Sequence, residues 1–236
     1  MKNAYPNSKL ICALDVANLK AAKGMVRRLG SAVQWYKVGL RLFSQEGPVI
    51  VHWLKKQKKR VFLDLKLHDI PNTVAEACRV AVGMKVDMLT VHASGGLEML
   101  QVASLAAQEE AQRLKVHAPL IVAVTVLTSL NDLSFLGISD PISEQVLRLA
   151  KLAEAAKLSG VVCSPLEIEI LRQKFPKTLK LVTPGIRPPG SPHGDQKRVL
   201  TAQEAFAAGA DYIVVGRPIL TADDPKAVVK QLLATN

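Results

Sequence analysis

Short runs of β-branched and aliphatic residues alternate along this chain with longer stretches whose apolar positions recur every three or four residues. That alternation of periods is the pattern of βα units around a parallel sheet. Eight runs read as strands: KLICALDV (9–16), WYKVGL (35–40), RVFLDLKL (60–67), DMLTVHA (87–93), LIVAVTVL (120–127), GVVCS (160–164), LKLVTPGI (179–186) and DYIVVGRPI (211–219). Helical patterns between them include 71–84, 96–111, 142–158 and 165–175, with Pro71 and Pro165 placed for first helical turns, where no N–H is needed. Eight strands each followed by a helix fit a closed (β/α)8 TIM barrel, whereas a doubly wound open sheet more often stops at five or six. No linker interrupts the pattern, so 1–236 reads as a single catalytic barrel domain.

Polar residues fall asymmetrically on this frame. Asp15, Lys37, Asp64, Lys66, His92, Thr125 or Thr128, Ser164, Arg187 and Arg217 lie at or just past the carboxyl ends of the predicted strands, while the opposite ends carry little beyond Lys9, Arg60 and Lys180. Barrel active sites are assembled at the carboxyl ends, from several βα loops, so one pocket is expected there.

Two segments carry most of the chemistry. In RVFLDLKLHDIPNT, the residues Asp64, Lys66 and Asp69 are spaced D-x-K-x-x-D at the end of an apolar run. A strand's period of two puts Phe62, Asp64 and Lys66 on one face and Val61, Leu63, Leu65 and Leu67 on the other. Taken alone, the triplet reads equally as a structural ion pair on a half-wet strand. The second segment is PGIRPPGSPHGDQKR after strand seven, followed by VVGRPI at the end of strand eight. Those loops are common phosphate positions in barrels. Gly216 lets the backbone approach an anion, Arg217 offers a planar pair of donors, and Arg187 and Gln196 add reach. A turn glycine followed by a surface arginine is the plainer alternative.

Composition narrows the picture. Apolar residues make up 49% and aromatics 4% of 236 residues, so the core is aliphatic and platforms for stacking bases are lacking. A formal charge of +11 admits nucleic acid, an anionic surface or a phosphorylated small molecule as partner. The basic residues are scattered except Lys55, Lys56, Lys58, Lys59 and Arg60, which sit where a helix should end and favour its dipole. That distribution points to the small phosphorylated substrate, without nucleic acid. No run is long enough to span a membrane and MKNAYPNSKL has no apolar leader core, so a cytoplasmic protein is expected. Cys12, Cys78 and Cys163 lack the spacing of a disulfide framework or zinc site and read as small core residues. Of the histidines, His52 reads as helical and His117 as loop, His193 has no evident partner, and His68 and His92 suit hydrogen-bonding roles behind the site. None is assigned a catalytic role, with His92 the first to reconsider.

Seven motifs in order now carry a resemblance: LDV around Asp15, KVG around Lys37, DLKLHDIPNT from Asp64 to Thr73, VTVLTS from Val124 to Ser129, PGIR ending at Arg187, GDQKR around Gln196 and VVGRPI around Arg217. Together they resemble the bacterial orotidine 5'-phosphate decarboxylase family over nearly the whole chain, with no departure at the expected functional positions. The resemblance implies decarboxylation of orotidine 5'-monophosphate to uridine 5'-monophosphate and carbon dioxide, in de novo pyrimidine biosynthesis, without metal or organic cofactor. It makes Lys66 the catalytic acid within an array of Lys37, Asp64, Lys66 and Asp69. It gives Asp15 and Lys37 the ribose hydroxyls, Thr128 the pyrimidine edge, and Arg187, Gln196, Gly216 and Arg217 the phosphate. It also implies a homodimer in which Asp69, Ile70 and Thr73 reach the partner's site. The loop 188–195, with two glycines and three prolines, is a candidate lid.

Two other readings stay open at this point. A magnesium-dependent sugar-phosphate decarboxylase or aldolase of the same superfamily would share D-x-K-x-x-D and the phosphate loops, but carries a glutamate where Lys37 stands, and an ammonium there would repel a dication. A basic RNA-binding protein would use the Lys55 cluster.

Overall fold

A computed structural model describes residues 9–188 and 200–234. Eight parallel strands close in sequence order into a barrel: β1 (Leu10–Ala13), β2 (Trp35–Gly39), β3 (Arg60–Leu67), β4 (Met88–His92), β5 (Leu120–Val124), β6 (Gly160–Val162), β7 (Lys180–Thr183) and β8 (Tyr212–Val215). The expected (β/α)8 barrel is therefore the observed fold. Around it run α1 (Leu19–Leu29), α2 (Leu40–Glu46), α3 (Pro48–Lys56), α4 (Pro71–Gly83), α5 (Gly96–Leu114), α6 (Ile142–Ala155), α7 (Ile168–Lys174), α8 (Ala202–Ala208), α9 (Arg217–Leu220) and α10 (Pro225–Leu233).

The third strand has the bounds its pattern predicts, and the other seven stop earlier. The largest correction is at the eighth. It ends at Val215, and Arg217–Leu220 form a short helix, because Pro218 has no N–H for a sheet ladder but suits a first helical turn. The fifth and seventh strands end at Val124 and Thr183, and the apolar residues after them turn over the barrel mouth or into the core instead of extending the sheet. The helix expected at 165–175 divides into a 3-10 turn, Pro165–Glu167, and α7.

Alternation along each strand builds two apolar layers. Ile11, Ala13, Trp35, Phe62, Met88, Val122, Val182 and Val214 fill the barrel interior. Leu10, Cys12, Tyr36, Val38, Val61, Leu63, Leu89 and Val91 face outward against the helices. Phe62 and Asp64 thus point inward while Val61 and Leu63 point outward, as the period of two requires. Cys12, Cys78 and Cys163 are free and buried, and burial pushes each thiol up to about 12. They are inert core residues at neutral pH.

At the amino-terminal end of the barrel, Lys58, Lys85, Lys115 and Lys157 all follow helices and have φ of 52–59°. This left-handed cap position usually takes glycine. Lys55 and Lys56 do lie in the last turn of α3, with Lys55 bound to Asp87 at 2.6 Å. Among the described residues, no helix is long and apolar enough to cross a membrane.

Candidate active site

Residues at the carboxyl ends of the strands meet around one pocket. Its floor is the top of the barrel core, Ala13, Phe62, Val124, Val162 and Val214, and its walls include Asp15, Lys37, Asp64, Lys66, Leu127, Thr128, Pro184, Arg187, Gly216 and Arg217. Of the residues singled out in the sequence, these are the ones that converge.

The polar wall is an alternating chain of charges. Lys37 Nζ lies 3.4 Å from Asp15 Oδ1 and 3.3 Å from Asp64 Oδ2, and Lys66 Nζ lies 2.9 Å from Asp64 Oδ1. Asp64 is buried, and burial alone would push its carboxyl up. The charges of Lys37 and Lys66, with their hydrogen bonds, outweigh that and hold it below the usual carboxylate range. Burial likewise works against the Lys37 ammonium, and Asp64 and Asp15 overcome it, so its pKa is raised. Both groups are held charged in a place that would otherwise neutralise them. Gly39 makes this possible: a Cβ there would sit 2.8 Å from Lys37 Nζ and 3.4 Å from Asp15 Oδ1. The glycine leaves room for the lysine, pinned by two carboxylates, to fold across the strand end.

Lys66 is presented by a distorted backbone. Its φ is 53°, and the β3–β4 register shifts between Leu63 and Leu67. Register shifts of this kind re-aim side chains and are common beside active sites. The Lys66 N–H donates to Thr90 Oγ1 at 2.8 Å, and the Thr90 hydroxyl donates to Asp64 Oδ1 at 3.1 Å. Neither Thr90 nor Gly39 stood out in sequence. A threonine in MLTVH reads as strand filling, and the glycine of KVG as a strand end.

In the same pocket, Arg187 and Arg217 are close enough for their charges to interact. Burial and then the Arg217 charge both lower the Arg187 pKa, the mark of a site that favours an anion. Arg187 is anchored by its N–H to Leu200 O at 3.0 Å, next to the bridge between Ile186 and Leu200. Gly216 lies over Ala13, where an added Cβ would come no nearer than 3.5 Å to its neighbours. Protein packing does not demand glycine there, so the open space belongs to the pocket. The four cations Lys37, Lys66, Arg187 and Arg217 face two carboxylates, Asp15 and Asp64, an excess that suits a polyanionic ligand.

Other candidates lie elsewhere. Thr128 lines the pocket, whereas Thr125 is buried with its hydroxyl on Val162 O at 3.1 Å. Ser164 is buried outside the lining, its N–H held by Glu167 Oε2 at 2.8 Å. His92 is also outside it, stacked on His68 with ring centroids 5.3 Å apart and bonded through Nδ1 to Ser94 Oγ at 2.6 Å. Burial, then the charges of His68 and Lys66, lower its pKa. Asp69, Ile70 and Thr73, at the start of α4, are exposed and do not line the pocket of the single chain. Gln196 and residues 189–195 of the candidate lid lie outside the described residues.

Comparison with known proteins gives the family. Residues 8–232 match the family model described as the orotidine 5'-phosphate decarboxylase / HUMPS family. An orotidine 5'-phosphate decarboxylase of Moorella thermoacetica is 48% identical, covering 99% of this chain and 94% of the relative. One of a Nostoc species is 46% identical over 96% of each chain. The crystal structure of orotidine 5'-phosphate decarboxylase from Lactobacillus acidophilus superposes with a TM-score of 0.84 at 36% identity, covering 94% of this chain and 96% of that one. The carboxyl-end charge array and barrel thus sit within a match that runs almost end to end, and the chain belongs to the orotidine 5'-phosphate decarboxylase / HUMPS family.

Proposed function

We propose that this protein decarboxylates orotidine 5'-monophosphate to uridine 5'-monophosphate, with Lys66 as the catalytic acid. The observation that carries the reading is the chain Asp15–Lys37–Asp64–Lys66 lining one pocket together with Arg187 and Arg217. The relatives' activity supports it, since an enzyme of that name shares 48% of residues over nearly the full length.

The reaction breaks the bond between C6 and the carboxylate. Carbon dioxide leaves, the electron pair stays on C6 in the plane of the pyrimidine, and no conjugated system accepts it. A fixed cation beside C6 is the direct remedy. Lys66 supplies that charge and then a proton to C6, giving the product and a neutral amine that solvent reprotonates. At about 4 Å and an effective dielectric near 20, a unit charge is worth roughly 4 kcal/mol, on the order of a thousandfold in rate. Lys66 needs a structural reason to stay where the carbanion forms, and its bond to Asp64 provides one. Asp64 would also face the substrate carboxylate, adding repulsion that its departure relieves, a ground-state contribution to the barrier.

The remaining roles are those the family resemblance implies. Asp15 and Lys37 take the ribose hydroxyls, Thr128 the pyrimidine edge, and Arg187, Gln196, Gly216 and Arg217 the phosphate, whose remote binding energy can be used at C6. Asp69, Ile70 and Thr73 act across a homodimer interface. Supporting this, Ile70, Thr73, Ala77 and Val80 follow helical spacing along α4, with Ile70 68% and Val80 63% exposed, beside exposed Leu97 and Leu105 of α5. A multiply charged nucleotide stays in the compartment that makes it, so we read the enzyme as cytoplasmic.

Against the sugar-phosphate alternative, Lys37 favours the decarboxylase. Its ammonium sits between Asp15 and Asp64, where a dication serving sugar-phosphate chemistry would have to displace it. Incubation with orotidine 5'-monophosphate in excess chelator, followed by loss of substrate absorbance, tests the proposal. Turnover is expected. Inactivity there, with magnesium-dependent turnover of sugar phosphates, would overturn it.

A further inference from the structure

We propose that Thr90 is a positioning residue for Lys66, an inference that rests on the decarboxylase reading above. The bonds form a closed ring that begins and ends on the lysine: Lys66 N–H to Thr90 Oγ1 at 2.8 Å, the Thr90 hydroxyl to Asp64 Oδ1 at 3.1 Å, and Lys66 Nζ to that same oxygen at 2.9 Å. One hydroxyl therefore fixes both the backbone that carries the ammonium and the carboxylate that aims it.

The ring answers a problem made by the fold. Lys66 has φ of 53°, a conformation uncommon for any residue with a side chain, and the β3–β4 pairing is out of step between Leu63 and Leu67. Its N–H finds its acceptor in the Thr90 side chain on β4. Thr90 is completely buried and is not part of the pocket lining, so it acts through Lys66 without touching a ligand. Its own backbone is fixed in register with Val122 of β5, and a β-branched side chain has few χ1 choices, so the direction of the hydroxyl is set in advance. The second Asp64 oxygen is committed to Lys37 at 3.3 Å. With both oxygens engaged, the carboxylate cannot rotate to compensate for a lost Thr90 bond.

Thr90→Val removes the hydroxyl at nearly constant shape, and Thr90→Ser restores it. We expect kcat of Thr90→Val to fall about tenfold or more, since small misplacements of a reacting group are costly. KM and the affinity for uridine 5'-monophosphate should stay within about threefold, because binding groups are untouched, and Thr90→Ser should recover most of the rate. Thr90→Cys, with only a weak S–H donor, carries the same expectation as Thr90→Val if the latter does not fold. An unchanged kcat in the variant lacking the hydroxyl, or an equal fall in Thr90→Ser, would overturn the proposal. A crystal structure of the Thr90→Val or Thr90→Cys protein gives a readout independent of turnover. Lys66 is expected to leave the positive-φ region or to lose its bond to Asp64, and an unmoved Lys66 would count against the proposal. Failure of the parent to turn over orotidine 5'-monophosphate would sink the decarboxylase reading alone, since the crystallographic result stands without it.

Discussion

Replacing Asp64 by Asn should unsettle the fold as well as the chemistry. The substitution keeps the shape and one oxygen, which can still accept from Lys66 and Thr90, but it turns an NH2 toward Lys37. The pairs lost span 3.3 Å and 2.9 Å. At an effective dielectric near 20 these correspond to attractions of about 5 and about 6 kcal/mol before desolvation is counted. Net losses on removing one partner of a buried pair are about 3–5 kcal/mol. Lys37 keeps Asp15 and the Lys66 side chain is 31% exposed, so the low end, about 3 kcal/mol, is expected. The assay is urea unfolding of parent and variant at one protein concentration across a pH series. Asp64 has its carboxyl pKa depressed by folding, so its stabilisation is complete above the ordinary carboxylate value of about 4 and is lost as pH falls through the lowered folded value. The gap between the two proteins should therefore be full at pH 7 and shrink only in acid. Coincident unfolding curves at pH 7, or a gap that widens on acidification, would refute the claim that Lys37 and Lys66 depend on Asp64 for their placement.

Arg217→Ala should raise KM by about 10- to 100-fold, the scale of a lost charged hydrogen bond, with little change in melting temperature; unchanged kinetics would remove Arg217 from the phosphate site. Val80→Asp, on the exposed stripe of α4, tests the proposed shared-site homodimer, which predicts a shift in sedimentation toward a monomer and a parallel loss of activity; a fully active monomer would contradict shared sites. Lys115 caps α5 at φ 52°, so Lys115→Gly should leave stability equal or higher, while Lys115→Val should cost about 1 kcal/mol or more, about 2–4 °C in melting temperature. A tolerated valine would mean that the cap conformation is not needed.

Strand three was legible because its period of two is strict: Phe62 and Asp64 face in, Val61 and Leu63 face out, and the observed bounds equal the expected ones. Strands five, seven and eight read too long. Val126, Leu127 and Ile186 stay apolar after leaving the sheet, the first two because they line the pocket and the third because it joins the core, and hydropathy does not mark that change. Arg217–Leu220 turned helical for a reason visible in hindsight, the proline at 218. The site's charged members announced themselves by position at strand ends. Thr90 and Gly39 did not, because their importance lies in a hydroxyl shared between two strands and in a Cβ that must be absent. The backbone of Lys66 was equally hidden: the register shift leaves the alternation of residue types intact while reversing the sign of φ.

The most direct measurement of the central claim is single-turnover decarboxylation of orotidine 5'-monophosphate by the parent and Lys66→Ala in excess chelator, with uridine 5'-monophosphate affinity measured on both. The account predicts fast turnover by the parent, collapse of the chemical step in Lys66→Ala, and product affinity changed only slightly. Comparable single-turnover rates in the two proteins would contradict it, since the charge and proton at C6 would then have to come from somewhere other than Lys66.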